Sequence, residues 1–123
     1  MLLNNKQNHP GVVVLELSGR LQMGADCKRL ETEIDRLLEM KEHFVILEMA
    51  GVDHIDSAFV GQIVKTFTRL SKSGGALRMA GVKGMADGVL RMTQVNRVIP
   101  MFSNVDHALK DFPPPAAGPA AAP

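Results

Sequence analysis

The sequence predicts a single α/β domain built on a small, mainly parallel sheet. Three observations carry that expectation. Short β-branched runs alternate along the chain with stretches whose apolar residues recur every three or four positions. The chain has 123 residues, about one domain. Nearly half of it is apolar, enough for one core without disulfides or metals.

The elements follow in order. Leu2 to Gln7 supplies a weak edge strand, ended by the turn residues Asn8-His9-Pro10-Gly11. Val12 to Leu17 is short and β-branched, a buried strand that Gly19 breaks. From Ala25 to Met40 the apolar residues Cys27, Leu30, Ile34, Leu37 and Leu38 mark one helix face. Phe44 to Met49 reads as the second core strand. A second helix places Val60, Ile63, Val64, Phe67 and Leu70 on one side and stops at Gly74-Gly75.

Ala76 to Ala80 is the next strand, leading through Gly81 and Gly84 to a short helix from Met85 to Thr93. Val98-Ile99 and Met101 are expected to form a last strand at an edge, because Pro100 has no N–H to donate. Ser103 and Asp106 resemble a capping box opening a terminal helix, with Val105, Ala108, Leu109 and Phe112 facing the core. Strands separated by helices pair in parallel through right-handed crossovers, giving a sheet of four or five strands. The folded unit is expected to span residues 1–112. Residues 113–123, PPPAAGPAAAP, form a Pro/Ala tail expected to be extended or disordered.

Composition narrows the function. Fourteen basic against thirteen acidic side chains leave no basic stripe, and there is no Trp or Tyr for stacking, so nucleic acid is not an expected partner. No signal-peptide pattern opens the chain, and no apolar run reaches the roughly 20 residues of a membrane helix. The expected setting is cytoplasmic, without membrane insertion. The single cysteine, Cys27, has no internal partner.

Marks of an enzyme are missing as well. No dinucleotide fingerprint or phosphate-loop signature occurs, and Gly81, Gly84 and Gly88 read better as turns at helix ends. His9, His43, His54 and His107 lie on separate segments and make no ligand spacing, so no metal site and no cofactor are expected. Ser57 lacks the flanking residues of a nucleophile elbow. No catalytic residues are assigned.

What remains is Gly51 to Ala58, joining the central strand to the second helix. Asp56 or Ser57 is expected to be the N-cap, a role that by itself explains both residues and stabilises by about 1 kcal/mol. The same geometry permits a second role. A hydroxyl at a helix N-terminus is exposed, and a phosphate there meets a favourable dipole while adding charge beside Asp53 and Asp56.

Taken together, these segments resemble the STAS domain family. Leu15 to Leu21 is similar to its opening strand and turn. Val45 to Val52 followed by Ile55-Asp56-Ser57-Ala58 resembles its central strand and D-S signature, and Gly74 to Gly81 resembles its third helix-to-strand passage. The resemblance covers about Gly11 to Phe112. It implies a compact fold with helices mostly on one side of the sheet, and a role as an anti-sigma factor antagonist. Such a domain binds an anti-sigma factor that is a serine-protein kinase and is released by phosphorylation, here at Ser57. The kinase brings the ATP, and a phosphatase reverses the modification.

The family pattern D-S-[ST]-G becomes Asp56-Ser57-Ala58-Phe59 here. Phe59 is expected at the helix entrance, in the groove a kinase uses or in a pocket of another partner. It motivates an alternative: a non-phosphorylated STAS adaptor subunit of a lipid-transport ATPase or a sensory complex. A nucleotide-binding protein, resting on Gly81, Gly84 and Gly88, is a third reading. The expected partner surface comprises Asp53, Asp56, Ser57, Ala58 and Phe59, with Gln62, Lys65 and Thr66 on the helix and the Gln22 to Ala25 loop. Self-association is expected to be no more than a weak homodimer.

Overall fold

The computed structural model describes residues 1–112; the expected tail, 113–123, lies outside the described residues. Five strands form one sheet: β1 (Leu2–His9), β2 (Val12–Leu21), β3 (Phe44–Ile55), β4 (Ala76–Ala80) and β5 (Met101–Phe102), adjacent in that order. β1 runs antiparallel to β2, and the other three pairings are parallel. Helices α1 (Ala25–Glu39), α2 (Ser57–Lys72) and α3 (Gly84–Met92) connect the parallel strands, and α4 (Val105–Lys110) follows β5.

Topology decides where the helices lie. A sheet laid down in sequence order by crossovers of one hand puts every crossover helix on the same face. Leu30, Ile34 and Leu37 of α1, Ile63 and Leu70 of α2, and Leu90 of α3 accordingly share one core. With them lie the alternate strand residues Val13, Leu15, Leu17, Val45, Leu47, Met49, Leu77 and Met79. The opposite strand residues Val12, Val14, Ile46 and Ala80 meet Ala108 of α4 and Phe112 in a smaller second core. Burial on both faces explains why Val12 to Leu15 is a continuous apolar run rather than an alternating one.

Two element ends and one helix face depart here from the sequence expectation. Val98 and Ile99 are not strand: their amides donate to the Val95 carbonyl, both at 2.9 Å, closing a 3-10 turn over Val95–Arg97. The strand begins only beyond Pro100, whose carbonyl accepts from Met79 N at 3.0 Å. Asn104, not Ser103, caps α4, its side-chain oxygen accepting from His107 N at 2.9 Å. Asparagine is as good a cap as serine, so the helix starts one residue later. On α2, Val64 turns outward while Phe59 and Thr66 are buried beside Val60, Ile63 and Leu70.

The close of α2 depends on glycine. Gly74 takes φ 90, and a Cβ on Gly75 would lie 1.8 Å from the His43 carbonyl oxygen. The turn therefore brings β4 directly alongside β3, with Ala76 N donating to His43 O at 3.0 Å. On the outer side, Lys65 pairs with Glu31 at 2.5 Å and Arg69 with Asp35 at 2.7 Å, tying α2 to α1.

Candidate functional site

β3 is longer than its neighbour β4. Its pairing with β4 ends at Glu48–Ala80, while its pairing with β2 runs on to Ile55–Leu21. The segment from Gly51 to Ile55, expected as part of a connecting loop, is thus strand, and Gly19 is a strand residue with φ 85 in an irregular stretch of β2. Two parallel neighbours end side by side, so the connections that follow them must meet. They do so at Asp56.

Asp56 is the N-cap of α2, with extended backbone (φ −102, ψ 172). Its Oδ1 accepts from Phe59 N at 2.9 Å, as a capping side chain should. Its Oδ2 accepts from Met23 N, also at 2.9 Å, in the loop between β2 and α1. The Phe59 amide chiefly lowers the Asp56 pKa below its usual value; burial opposes this, and the Met23 amide, the charge of His54 and the Ala58 amide assist. The carboxylate is therefore held in its charged form by donors from two segments.

Ser57 opens α2 beside this carboxylate. It is exposed, and its hydroxyl takes part in none of the side-chain hydrogen bonds among the described residues. Ala58 is exposed too, as are Asp53 and the whole of Gln22 to Ala25. The first turn of α2 is not left free for a phosphate, because Asp56 already accepts from the N–H of Phe59.

Two further expectations are corrected by burial. Phe59 has no exposed surface and belongs to the main core, so its ring neither blocks a groove nor reaches a partner's pocket. Phe59 is a core anchor, so the adaptor reading loses the accessible ring on which it was to dock a partner. Thr66 is also buried, its hydroxyl donating to Gln62 O at 2.9 Å. Of the helix residues named for the partner surface, Gln62 is half-buried and Lys65 is exposed, the latter already paired with Glu31.

Sequence reasoning placed the Gln22 to Ala25 loop near the site but missed what fixes it. Besides Met23, Asp26 Oδ2 accepts from Gln22 N at 3.0 Å, and Cys27 lies beneath with its thiol 3.6 Å from Gln22 O. Burial raises the Cys27 pKa, helped by the charges of Asp56 and Asp26. On the other flank, His54 Nδ1 lies 3.2 Å from the sulfur of Met85, and both Met23 and Met85 are exposed. The shared register of β2 and β3 was the signal that could have joined these loops.

The remaining candidates stay apart. His43, at the opposite end of β3 from His54, meets Ser73, and His107 meets Ser103; among the described residues no three potential ligands cluster for a metal. Gly81 takes positive φ just after β4 and Gly84, also at positive φ, opens α3, while Gly88 lies within that helix rather than at a turn as expected. Among the described residues no helix is long and apolar enough to cross a membrane.

Comparison with known proteins agrees with this architecture. The STAS domain family model matches residues 4–108. The anti-sigma F factor antagonist of Paenibacillus polymyxa is 24% identical over 107 residues, covering 86% of this chain and 91% of that protein. A crystal structure from Thermotoga maritima superposes with a TM-score of 0.82 at 22% identity, over 89% of this chain and 93% of that one. The unphosphorylated form of the anti-sigma factor antagonist SpoIIAA gives a TM-score of 0.76 at 15% identity, covering 89% and 94%. SpoIIAA of Bacillus has also been solved phosphorylated, with a TM-score of 0.70 at 14% identity over 89% of this chain and 97% of that one. With the sheet order, the crossover face and the β3–α2 junction already in place, the match over residues 4–108 settles the family: the chain belongs to the STAS domain family.

Proposed function

We propose that this domain is an anti-sigma factor antagonist that works by partner switching and has no catalytic chemistry of its own. The observation that carries the reading is Ser57: an exposed, unengaged hydroxyl at the start of α2, directly after a capping aspartate. The relatives described above support the same role.

Unmodified, the domain binds the anti-sigma factor through Asp53, Asp56, Ser57, Ala58, Gln62 and Lys65, so that the sigma factor is released. Phe59 and Thr66 support that surface from below. The anti-sigma factor, acting as a serine kinase, brings ATP to Ser57. The Oγ–P bond forms as the bond to ADP breaks, and the hydroxyl proton passes to a base of the kinase. The phosphoserine adds a charge of about −1.5 to −2 beside Asp53 and Asp56. Repulsion and desolvation then oppose docking while the fold is kept, and a phosphatase resets the domain. The switch operates in the cytoplasm.

The test uses wild type and Ser57→Asp as paired baits in native lysate, with mass spectrometry of retained proteins and radiolabelled ATP added to the eluate. A kinase-like ATPase retained by wild type, lost with Ser57→Asp and labelling wild type but not Ser57→Ala is the expected result. Equal retention by both baits, or equal labelling of wild type and Ser57→Ala, would overturn the mechanism.

A further inference from the structure

The Asp56 carboxylate serves two masters. One oxygen caps α2 through Phe59 N, and the other holds Met23 N in a segment 33 residues earlier in the chain, both at 2.9 Å. We infer that Asp56 makes the β2–α1 loop a second moving part of the switch: charge added at Ser57 is passed through Asp56 to Met23 and frees Gln22 to Ala25. The inference rests on reading Ser57 as the modified residue.

The argument is one of competition for donors. A phosphoserine at position 57 brings three acceptor oxygens and a charge of about −1.5 to −2 into the first turn of α2. The N–H groups there, with the helix dipole behind them, favour the more highly charged anion. Asp56 is the adjacent residue and already draws on the same donors. Repelled by the phosphate and outcompeted for Phe59 N, its carboxylate gives up Met23 N as well.

Little else fixes the loop from outside. Gln22, Met23, Gly24 and Ala25 are all exposed. Gln22 N bonds to Asp26 and Lys28 N to Gly24 O, both at 3.0 Å, so these ties run within the loop and its own helix. At the apex, a Cβ on Gly24 would meet nothing within 4 Å, so that side of the turn faces open space. The last link across elements before the loop is Asp56 N to Leu21 O at 3.1 Å. That bond leaves Leu21 fixed and makes Gln22 the pivot. A partner touching both the α2 N-terminus and this loop thus loses a shape as well as meeting a charge.

The experiment is amide hydrogen exchange by NMR on the full chain, with phosphoserine installed at Ser57 during translation. No kinase is needed, so failure of the partner-switching test leaves this one intact. Exchange at Met23 is expected to quicken roughly tenfold or more on modification, the scale of one lost hydrogen bond, while Leu15 in the middle of β2 is unchanged. Asp56→Asn, which has one side-chain oxygen for two donors, is expected to exchange quickly at Met23 with or without the phosphate. Equal protection of Met23 in modified and unmodified wild type would overturn the inference. So would a phosphate-dependent change at Met23 that survives in Asp56→Asn.

Discussion

Helices α2 and α4 begin alike and end up doing different things. Each has a polar N-cap accepting from the amide three residues on at 2.9 Å, Phe59 for Asp56 and His107 for Asn104. Each has a serine beside the cap. At α4, Ser103 is engaged, 2.9 Å from His107 Nδ1, and the cap oxygen serves only its own helix. At α2, Ser57 is unengaged among the described residues and the second carboxylate oxygen reaches across to Met23. The capped residue also differs: Phe59 is fully buried, whereas His107 is exposed. A cap alone does not make a site. What sets α2 apart is the exposed hydroxyl of Ser57 above a buried Phe59, beside a carboxylate tied to a neighbouring loop.

The comparison breaks most visibly at the capped residue. Phe59→Ala removes a ring from the main core and is expected to destabilise by about 3–5 kcal/mol, while His107→Ala, on the surface, should stay within about 0.5 kcal/mol. Urea denaturation of both variants checks this; similar midpoints would mean that Phe59 is not the anchor its burial indicates.

The caps themselves come next. Asp56→Ala loses two charge-assisted bonds and is expected to cost about 2–3 kcal/mol. Asn104→Ala loses one neutral bond and should cost about 1 kcal/mol. Denaturation midpoints at neutral pH measure the difference. Equal losses would show that the Met23 bond contributes nothing to stability.

What the sequence made legible divides along the same line between local and distant. That a cap stood at Asp56 or Ser57 followed from the residues on either side, and so did the helices and most of the strands; the structure selects Asp56. The Met23 bond could not be read that way, because it joins two connections that meet only once β2 and β3 pair in parallel. Phe59 is a subtler case. The expected face of Val60, Ile63, Val64, Phe67 and Leu70 and a face turned slightly to take in Phe59 and Thr66 fit the same helical period, and packing against the sheet buries Phe59 and Thr66 while Val64 is left exposed. Asn104 and Ser103 are both good caps, so their order could not be chosen locally. The apolar pair Val98-Ile99 reads as strand until the bonds from both amides to the Val95 carbonyl are seen.

Acid sharpens the contrast between the two caps, because only one of them titrates. Asp56 has its pKa lowered, mainly by the Phe59 amide, so the folded protein binds its proton less readily than the unfolded chain. Its contribution is then fully present above the unfolded value of about 3.9 and is lost as pH falls through the folded value. Asp56→Asn is expected to be less stable than wild type at pH 7, with the gap narrowing steadily below about pH 4. Asn104→Ala should differ from wild type by an amount that does not change over that range. Denaturation series from neutral to acid pH decide it, and a gap for Asp56→Asn that is independent of pH would mean the carboxylate is not held by those amides.

The smallest effect falls on the residue that matters most for the proposed switch. Ser57 is exposed and its hydroxyl holds nothing in place, so Ser57→Ala is expected to leave stability within about 0.5 kcal/mol of wild type. Ser103→Ala gives up its contact with His107 and should cost at least as much. A serine kept for structure shows itself in denaturation, whereas one kept for modification does not. If Ser57→Ala proved distinctly less stable than Ser103→Ala, Ser57 would be a structural part of the helix start. The distinction between the two helix entrances would then rest on Asp56 and Phe59 alone.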